Sequence, residues 1–250
     1  MNTLELFCGT KSFTKVAEEL GHDTWTVDID KEFKPDVCKD ILEFNPKIYP
    51  KDIPFDILWA SPPCTAFSVA SIGSSWCGNY HPKRVTTALC MAYVLKTLEI
   101  IKILNPKYWF IENPRGVLRK MAFMDGLHRK TITYCQYGDN RMKPTDIWTN
   151  LESWNPRKMC KNGDKCHVSA PRGSRTGTQG IKGAKDREEL AGKVFNRLKD
   201  LGITKTFRGE ITPKSVLNKV RANLRAFKNF KYKSFSLIEE DDSIKLENGN

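Results

Sequence analysis

The sequence lacks a hydrophobic run long enough to cross a membrane. Its longest apolar stretch, residues 88–104, is interrupted by two lysines, a threonine and a glutamate. The first residues (MNTLE) contain no basic segment leading into an apolar run, so we do not expect a secretory signal. These absences argue against membrane-spanning and secreted proteins, and they predict a cytoplasmic one.

Other features are missing as well. We find no internal repeat, which argues against solenoid and propeller folds. The first glycine turn, Phe7-Cys8-Gly9, does not continue into a complete G-x-G-x-x-G, so a dinucleotide pyrophosphate site is not supported. The chain has eight cysteines but no signal peptide, which predicts free thiols in a reducing compartment and not a disulfide framework.

What the chain does have is length and positive charge. Its 250 residues, 40% of them hydrophobic, are enough for one sizeable core with an appendage, or for two small domains. The net charge is +12 and the isoelectric point is about 9.3. Such a charge favours a polyanionic partner through counterion release, although a ribosomal or membrane-surface protein would have a similar composition.

Strand-like and helix-like segments alternate over residues 1–150. Alternation of this kind predicts an α/β fold with a doubly wound, mostly parallel sheet, in which ligands bind at the carboxyl ends of the strands. Helical spacing is present at 12–20 and 88–104. The predicted strands cover 3–7, 24–29, 55–60, 108–111, 131–137 and 146–149.

The composition changes after residue 150. Residues 151–186 are rich in glycine, serine and basic residues and are predicted to be mostly loop. Residues 187–235 form a basic helical region with helices expected at 188–201 and 213–227. An acidic tail, 236–250, is predicted to be disordered.

Polar residues that suit a nucleotide-like cofactor follow the first two strands. Gly9 allows a close backbone approach at a helix N-terminus. Asp28 follows the next strand, about 20 residues on, where an acid suits hydrogen bonds to ribose hydroxyls. Asp40 could accept a hydrogen bond from an adenine amino group. Each of these acids could also be an ordinary loop residue.

Later strand ends carry residues that suit covalent chemistry. Two prolines hold Cys64 on a rigid loop, and a cysteine attacks as the thiolate. Glu112 follows another strand and could donate a proton or clamp a substrate. Arg141 and Lys143 could hold a base carbonyl or a phosphate. Each has a structural alternative. Cys64 could be a small buried hydrophobic residue, Glu112 could lie in a surface turn, and Arg141 and Lys143 could lie in a solvated hairpin.

Together these motifs resemble the DNA cytosine-5 methyltransferase family over about residues 3–149. The order of the motifs is that of the family, and the chain is similar to a compact, phage- or virus-like member from a bacterial or virus-infected cell. The motifs are Leu6-Phe7-Cys8-Gly9, Asp28-Ile29-Asp30, Pro62-Pro63-Cys64 with Phe67-Ser68, Glu112-Asn113 and Arg141-x-Lys143.

The resemblance implies a Rossmann-like, class I S-adenosylmethionine-dependent methyltransferase domain at 1–150 and a reduced target-recognition segment at 151–186. It implies a monomer that flips cytosine out of double-stranded DNA. The implied catalytic residues are Cys64 as nucleophile, Glu112, Asn113, Arg141 and Lys143. The implied cofactor-binding residues are Phe7, Cys8, Gly9, Ser12, Asp28, Ile29, Asp40 and Pro63.

The chain departs from the family pattern at several positions. Lys11 replaces the usual second glycine of the first motif, and Lys143 replaces an arginine. A C-terminal Gly-Asn motif and a long target-recognition domain are both missing. Two alternatives therefore stay open: a tRNA methyltransferase with the same catalytic motifs, and a catalytically inactive DNA-binding homologue.

A second group of potential ligands lies in the basic loop. Cys160, Cys166 and His167 offer three zinc ligands, whereas a structural site needs four, and paired knuckles usually have shorter spacing. The sequence therefore predicts surface thiols and no metal site.

Overall fold

A computed structural model describes residues 1–48 and 54–168, together with the backbone of two strands between 235 and 248. The helices expected at 188–201 and 213–227, and the second half of the loop segment 151–186, lie outside the described residues.

The first half of the domain forms four parallel strands. Two of the four, β1 and β4, are almost wholly buried. The bounds are β1 Asn2–Leu6, β2 Asp23–Asp28, β3 Val37–Cys38 and β4 Ile57–Ala60, with helix α1, Ser12–Glu19, between β1 and β2.

The second half completes the sheet. Helix α2, Ile72–Ser75, is a single turn, and α3, Val85–Leu104, is the long crossover helix. Helix α3 ends where Asn105 adopts a left-handed conformation (φ 44°) directly before a proline. The strands are β5 Tyr108–Pro114, β6 Arg129–Thr133 and β7 Pro144–Thr149.

The strand order is β3-β2-β1-β4-β5-β7-β6, and β7 runs opposite to the other six strands of this sheet. Two apolar clusters cover the two faces of this sheet. Leu58 packs in the cluster of α3, while Phe13 of α1 stacks on Trp59 with the ring centroids 5.6 Å apart. Helices on opposite faces make this a doubly wound, mostly parallel, Rossmann-like sheet, as predicted.

Three details differ from the predicted elements. Strand β5 continues through Pro114 instead of ending at residue 111, because β7 pairs with its last residues. Strand β6 ends at Thr133, and Tyr134–Tyr137 form a 3-10 turn. Residues 235–240 and 243–248 pair as an antiparallel hairpin, β8 and β9, with Leu237 opposite Leu246, where a disordered tail was predicted.

Within the parts of the chain that the structure describes, no helix is both long and apolar enough to cross a membrane.

Candidate active site

The register of the sheet brings four strand ends to one edge. Leu6 lies beside both Val27 and Ala60, and Ala60 lies beside Ile111. Because these strands are parallel, the loops that follow them leave the sheet from the same edge. The predicted cofactor residues and the predicted nucleophile therefore come from neighbouring loops.

The side chain of Asp28 joins the first two of these loops. Its Oδ2 accepts a hydrogen bond from the Gly9 amide at 2.9 Å, and its Oδ1 accepts one from the Asp30 amide at 2.9 Å. A carboxylate has about four lone-pair sites, so these two bonds leave acceptor capacity for a ligand hydroxyl. Asp28 was predicted to contact ribose hydroxyls, and its side chain also holds the loop that carries Gly9 in place.

The first loop keeps its turn although Lys11 replaces a glycine. Phe7, Gly9 and Lys11 all have left-handed backbone conformations, with φ of 58°, 45° and 60°. A residue with a Cβ pays roughly 1–2 kcal/mol for this conformation. The Lys11 amide donates to the Cys8 carbonyl at 2.7 Å and its Nζ donates to the Lys34 carbonyl at 2.5 Å, which help to hold the conformation.

The remaining predicted cofactor residues lie around this loop. Ile29 is an apolar side chain that is 65% exposed, as a residue that packs on a planar ligand would be. The Oδ1 of Asp40 accepts from the Leu42 amide at 2.9 Å, and Ser12 Oγ lies 3.3 Å from Thr10 Oγ1.

Tyr93 of α3 was not predicted for this corner. Its ring meets Phe7 edge-on at 6.1 Å, and burial together with Asp40 raises the pKa of Tyr93. Sequence analysis identified α3 only as a long apolar helix. A tyrosine within that apolar run was the one feature that could have indicated a polar contact there.

The loop that carries Cys64 is held from three sides. The Cys64 carbonyl accepts the amides of Phe67 and Ser68, both at 3.0 Å, which closes a turn. Trp76 Nε1 donates to the Ala66 carbonyl at 2.6 Å. Asn113 Nδ2 of β5 donates to the Pro62 carbonyl at 3.0 Å. Pro63 is exposed and Cys64 is half-buried, so the loop is fixed while its sulfur is not sealed in the core.

Gly116 lets the end of β5 lie directly against the loop of Cys64. The Val117 amide donates to the Phe67 carbonyl at 2.8 Å. A Cβ at position 116 would overlap that carbonyl oxygen and lie 3.1 Å from its carbon. Sequence analysis did not single out Gly116, because the contact joins two distant segments.

Glu112 is linked to Tyr134 and Lys143 through hydrogen bonds. The Tyr134 hydroxyl donates to Glu112 Oε1 at 3.1 Å, and Lys143 Nζ donates to the Tyr134 hydroxyl at 3.2 Å. The ammonium of Lys143 also lies 4.5 Å from the centre of the Tyr134 ring. Tyr134 was missed by sequence analysis, which had assigned it to a plain strand.

Burial dominates the electrostatics of this group. Burial raises the pKa of Glu112, while Lys143 and the hydrogen bond from Tyr134 oppose that shift. Burial and the Glu112 carboxylate raise the pKa of Tyr134 well above its usual range, and Cys64 contributes in the same direction. Cys64 therefore lies within electrostatic reach of the hydroxyl that contacts Glu112.

Arg141 lies in a different arrangement from the one predicted. Its Nε and Nη2 donate to the two carboxylate oxygens of Asp139, at 2.9 and 2.6 Å, and its side chain is largely buried. Lys143, two residues later, is the basic group that reaches the Glu112 cluster.

A buried ion pair supports β5 from the neighbouring strands. Asp146 of β7, opposite Asn113 in the sheet, is fully buried and accepts from Arg119 Nε at 2.8 Å and Thr131 Oγ1 at 2.8 Å. A buried carboxylate needs such partners, and here they stiffen the strands that carry Glu112 and Asn113.

The sequence matches a known family and a viral protein. The family described as C-5 cytosine-specific DNA methylase matches residues 1–125. A Frog virus 3 (isolate Goorha) protein named "Probable DNA (cytosine-5)-methyltransferase" is 32% identical over 172 residues, 66% of this chain and 78% of the relative.

Two solved structures are also similar. The Dnmt2 methyltransferase of S. pombe gives a TM-score of 0.39 at 16% identity, covering 60% of this chain and 48% of that one. A DNMT2 variant of Spodoptera frugiperda gives 0.41 at 19% identity, covering 67% and 57%. The chain therefore spans about half the length of these solved structures.

Proposed function

The chain belongs to the C-5 cytosine-specific DNA methylase family, and from this premise we propose that it methylates carbon 5 of cytosine in double-stranded DNA through a covalent bond between Cys64 and carbon 6. Methyl transfer to cytosine in DNA is the activity of the family. The covalent route, the duplex substrate and the roles of individual residues are our proposal.

The loops at the edge of the sheet fit S-adenosylmethionine. The open acceptor capacity of Asp28 suits ribose hydroxyls, and the exposed Ile29 suits an adenine face. Phe7, Gly9 and Asp40 would complete the site, with Cys8, Ser12 and Pro63 at its boundary. When bound, this cofactor supplies a methyl group from its sulfonium.

In the proposed reaction Cys64 and Glu112 act on opposite ends of one electron shift. The Cys64 thiolate forms a bond to C6, and the electrons of the C5–C6 double bond move toward N3. Protonated Glu112 donates to N3 and offsets that charge, so that C5 becomes nucleophilic and is methylated. N3 then returns its proton to Glu112, a base from solvent takes the C5 proton, and departure of the Cys64 thiolate restores the aromatic ring.

The observation that carries this proposal is the group formed by Glu112, Tyr134 and Lys143, with Cys64 in electrostatic reach. The raised pKa of Glu112 favours the protonated form that can donate to N3. Asn113 would keep the loop of Cys64 in place through its bond to Pro62. Arg141 is paired with Asp139, and it would contact the carbonyl of the base only after leaving that carboxylate.

The net charge of +12 supports a nucleic-acid substrate. We propose that residues 151–186 and the basic region that follows contribute to DNA binding, and that the protein acts as a monomer.

A trapping experiment tests the nucleophile. A DNA duplex with 5-fluorocytosine at the target should form a covalent adduct with the wild-type chain and S-adenosylmethionine, because the fluorine cannot leave as the C5 proton does. Cys64→Ser should form none, and Cys77→Ser, which alters an exposed thiol, should react as the wild type does. An adduct with Cys64→Ser would show that another residue attacks.

The substrate class is tested with the same protein. Methyl transfer to duplex DNA, single-stranded DNA and tRNA should be fastest with duplex DNA, and faster transfer to tRNA would overturn that part of the proposal. Calorimetry with S-adenosylmethionine distinguishes an inactive homologue, which would not bind. Bisulfite sequencing of DNA from cells that express the protein would report the sequence context.

A further inference from the structure

Three thiols and an imidazole converge next to the turn that bears Tyr134. They belong to Cys135, Cys160, Cys166 and His167, and their ligand atoms all lie within 4.8 Å of one another. Cys135 comes from the 3-10 turn after β6, whereas the other three come from the segment that follows β7. Cys135 and Cys160 are buried, His167 is half-buried and Cys166 is exposed.

Three of the separations between these ligand atoms match those of a tetrahedral zinc site. With Zn–S of about 2.3 Å and Zn–N of about 2.05 Å, tetrahedral geometry requires about 3.8 Å between sulfurs and about 3.5 Å between sulfur and nitrogen. Cys135 and Cys166 are 3.6 Å apart at sulfur, and His167 Nδ1 lies 3.7 Å from Cys160 and 3.4 Å from Cys166. The Cys135–Cys160 pair is closer, at 3.0 Å.

We propose that Cys135, Cys160, Cys166 and His167 bind one structural Zn²⁺ ion. Three cysteines and one histidine are a ligand set of structural zinc sites, and four protein ligands leave no open position for catalysis. A disulfide explains the cluster less well, because 3.0 Å is far from the bonded S–S distance of about 2.05 Å. A disulfide would also give no reason for the third thiol and the imidazole to converge.

The surroundings suit a site of this charge. Three thiolates and Zn²⁺ leave one net negative charge, and the ligand segment is rich in lysine and arginine. Gln136 Nε2 donates to Cys166 Sγ at 3.4 Å, as outer partners of metal thiolates do. The Cys160 amide donates to Thr133 Oγ1 at 3.2 Å, which fixes the ligand backbone against β6.

The ion would tie the segment after β7 to the turn that bears Tyr134. Hydrogen bonds already join the two, from the Arg157 amide to the Tyr137 hydroxyl at 3.1 Å and from the Val168 amide to the Asn140 carbonyl at 3.0 Å. Zinc would add four strong bonds at the same junction. It would thus set where residues beyond 168 leave the catalytic domain.

Sequence analysis found three of the ligands and missed the fourth. Cys160-x5-Cys166-His167 lacks a partner in its own segment, and Cys135 lies 25 residues earlier on a different element. The prediction of surface thiols without a metal is the one that this proposal replaces.

Metal analysis of the full-length chain tests the proposal. After expression in zinc-supplemented medium and purification with reductant but no chelator, the wild-type protein should contain equimolar zinc. Cys135→Ser and Cys160→Ser each remove a ligand, so each should weaken zinc binding at least roughly tenfold in competition with a chelator and lower the zinc content after dialysis against it. Cys77→Ser should leave it unchanged, since Cys77 is an exposed thiol outside the cluster.

Cobalt substitution of the wild-type protein gives a readout that does not depend on variants that fold. Co²⁺ should produce the ultraviolet thiolate-to-cobalt charge-transfer band and the intense visible bands of a tetrahedral site, and zinc should abolish both. A chelator should lower the melting temperature of the wild type. A wild-type chain that binds neither metal, or a Cys135→Ser variant with undiminished zinc and an unchanged cobalt spectrum, would overturn the proposal.

Discussion

Replacing Gly116 by alanine perturbs the loop of Cys64 without changing any group that takes part in the reaction. Residue 116 lies where the end of β5 crosses the backbone of Phe67 and Ser68. An alanine Cβ would overlap the Phe67 carbonyl oxygen, so one of the two segments must move. Strand β5 is held by β4 and β7 on its two sides, and the loop of Cys64 is therefore the segment expected to yield.

The size of the effect follows from the overlap. Restoring an ordinary carbon–oxygen contact of about 3.3 Å requires a shift of roughly 1 Å at the Phe67 carbonyl. Phe67 is three residues from Cys64, and its amide closes the turn on the Cys64 carbonyl. A misplacement of about 1 Å in a reacting group lowers the rate by roughly 100-fold, so we expect Gly116→Ala to lower kcat/KM by about that factor.

The assay is methyl transfer to duplex DNA together with the rate of 5-fluorocytosine trapping. Both should fall, whereas the affinity for S-adenosylmethionine measured by calorimetry should change much less, since most of the proposed cofactor residues follow β1 and β2. Gly73→Ala is the matched control, because a Cβ at Gly73 meets nothing within 4 Å. A Gly116→Ala protein with wild-type trapping and an unchanged melting temperature would refute the argument that this contact positions Cys64.

Two further predictions concern the carboxyl group. Glu112→Gln should slow methyl transfer by roughly two to four orders of magnitude. It should also remove a pH dependence of stability. Because the pKa of Glu112 is raised by folding, the folded state keeps a proton that the unfolded state has lost. The free energy of unfolding of the wild type therefore falls as pH rises from about 4.3 to the folded pKa, by at most about 1.4 kcal/mol per pH unit. Urea titrations at a series of pH values check this, and equal slopes for both proteins would contradict it. Tyr134→Phe removes a bond that lowers the pKa of Glu112, so the alkaline limb of its pH–rate profile should move to higher pH. Tyr108→Phe, at the other end of β5, should leave that limb where it is.

The order of the elements and the edge at which they meet could be predicted because both follow from local patterns. Short apolar runs next to glycine and proline mark the strands, and parallel strands place their carboxyl ends together. The same local signals were wrong for the end of β5, where Asn113 and Pro114 resemble a turn. They stay in the strand because β7 pairs with them, with Asn113 opposite Asp146, and no local pattern contains that partner.

Residues that act through distant contacts could not be predicted in this way. Tyr134, Gly116 and Cys135 matter because a distant segment contacts each of them. These contacts come from Glu112, the Phe67 carbonyl and Cys160 respectively. The choice between Arg141 and Lys143 is similar. Both carry positive charge in one short loop, and it is the neighbouring Asp139 that engages the guanidinium while Lys143 contacts Tyr134.

The two cysteines at this edge of the sheet illustrate how burial separates chemical roles. Cys8 and Cys64 both follow a strand end, and both would lie near the substrate and cofactor. Burial, with Asp28 and Glu5 adding to it, raises the pKa of Cys8 to about 12, so that only about one part in 10⁵ is thiolate at pH 7. Cys64 is only half-buried, on a loop whose preceding proline is exposed. A thiol that rarely ionises beside the proposed cofactor loop would not compete for the electrophilic methyl group, which supports the proposal that Cys64 is the sulfur that reacts with the base.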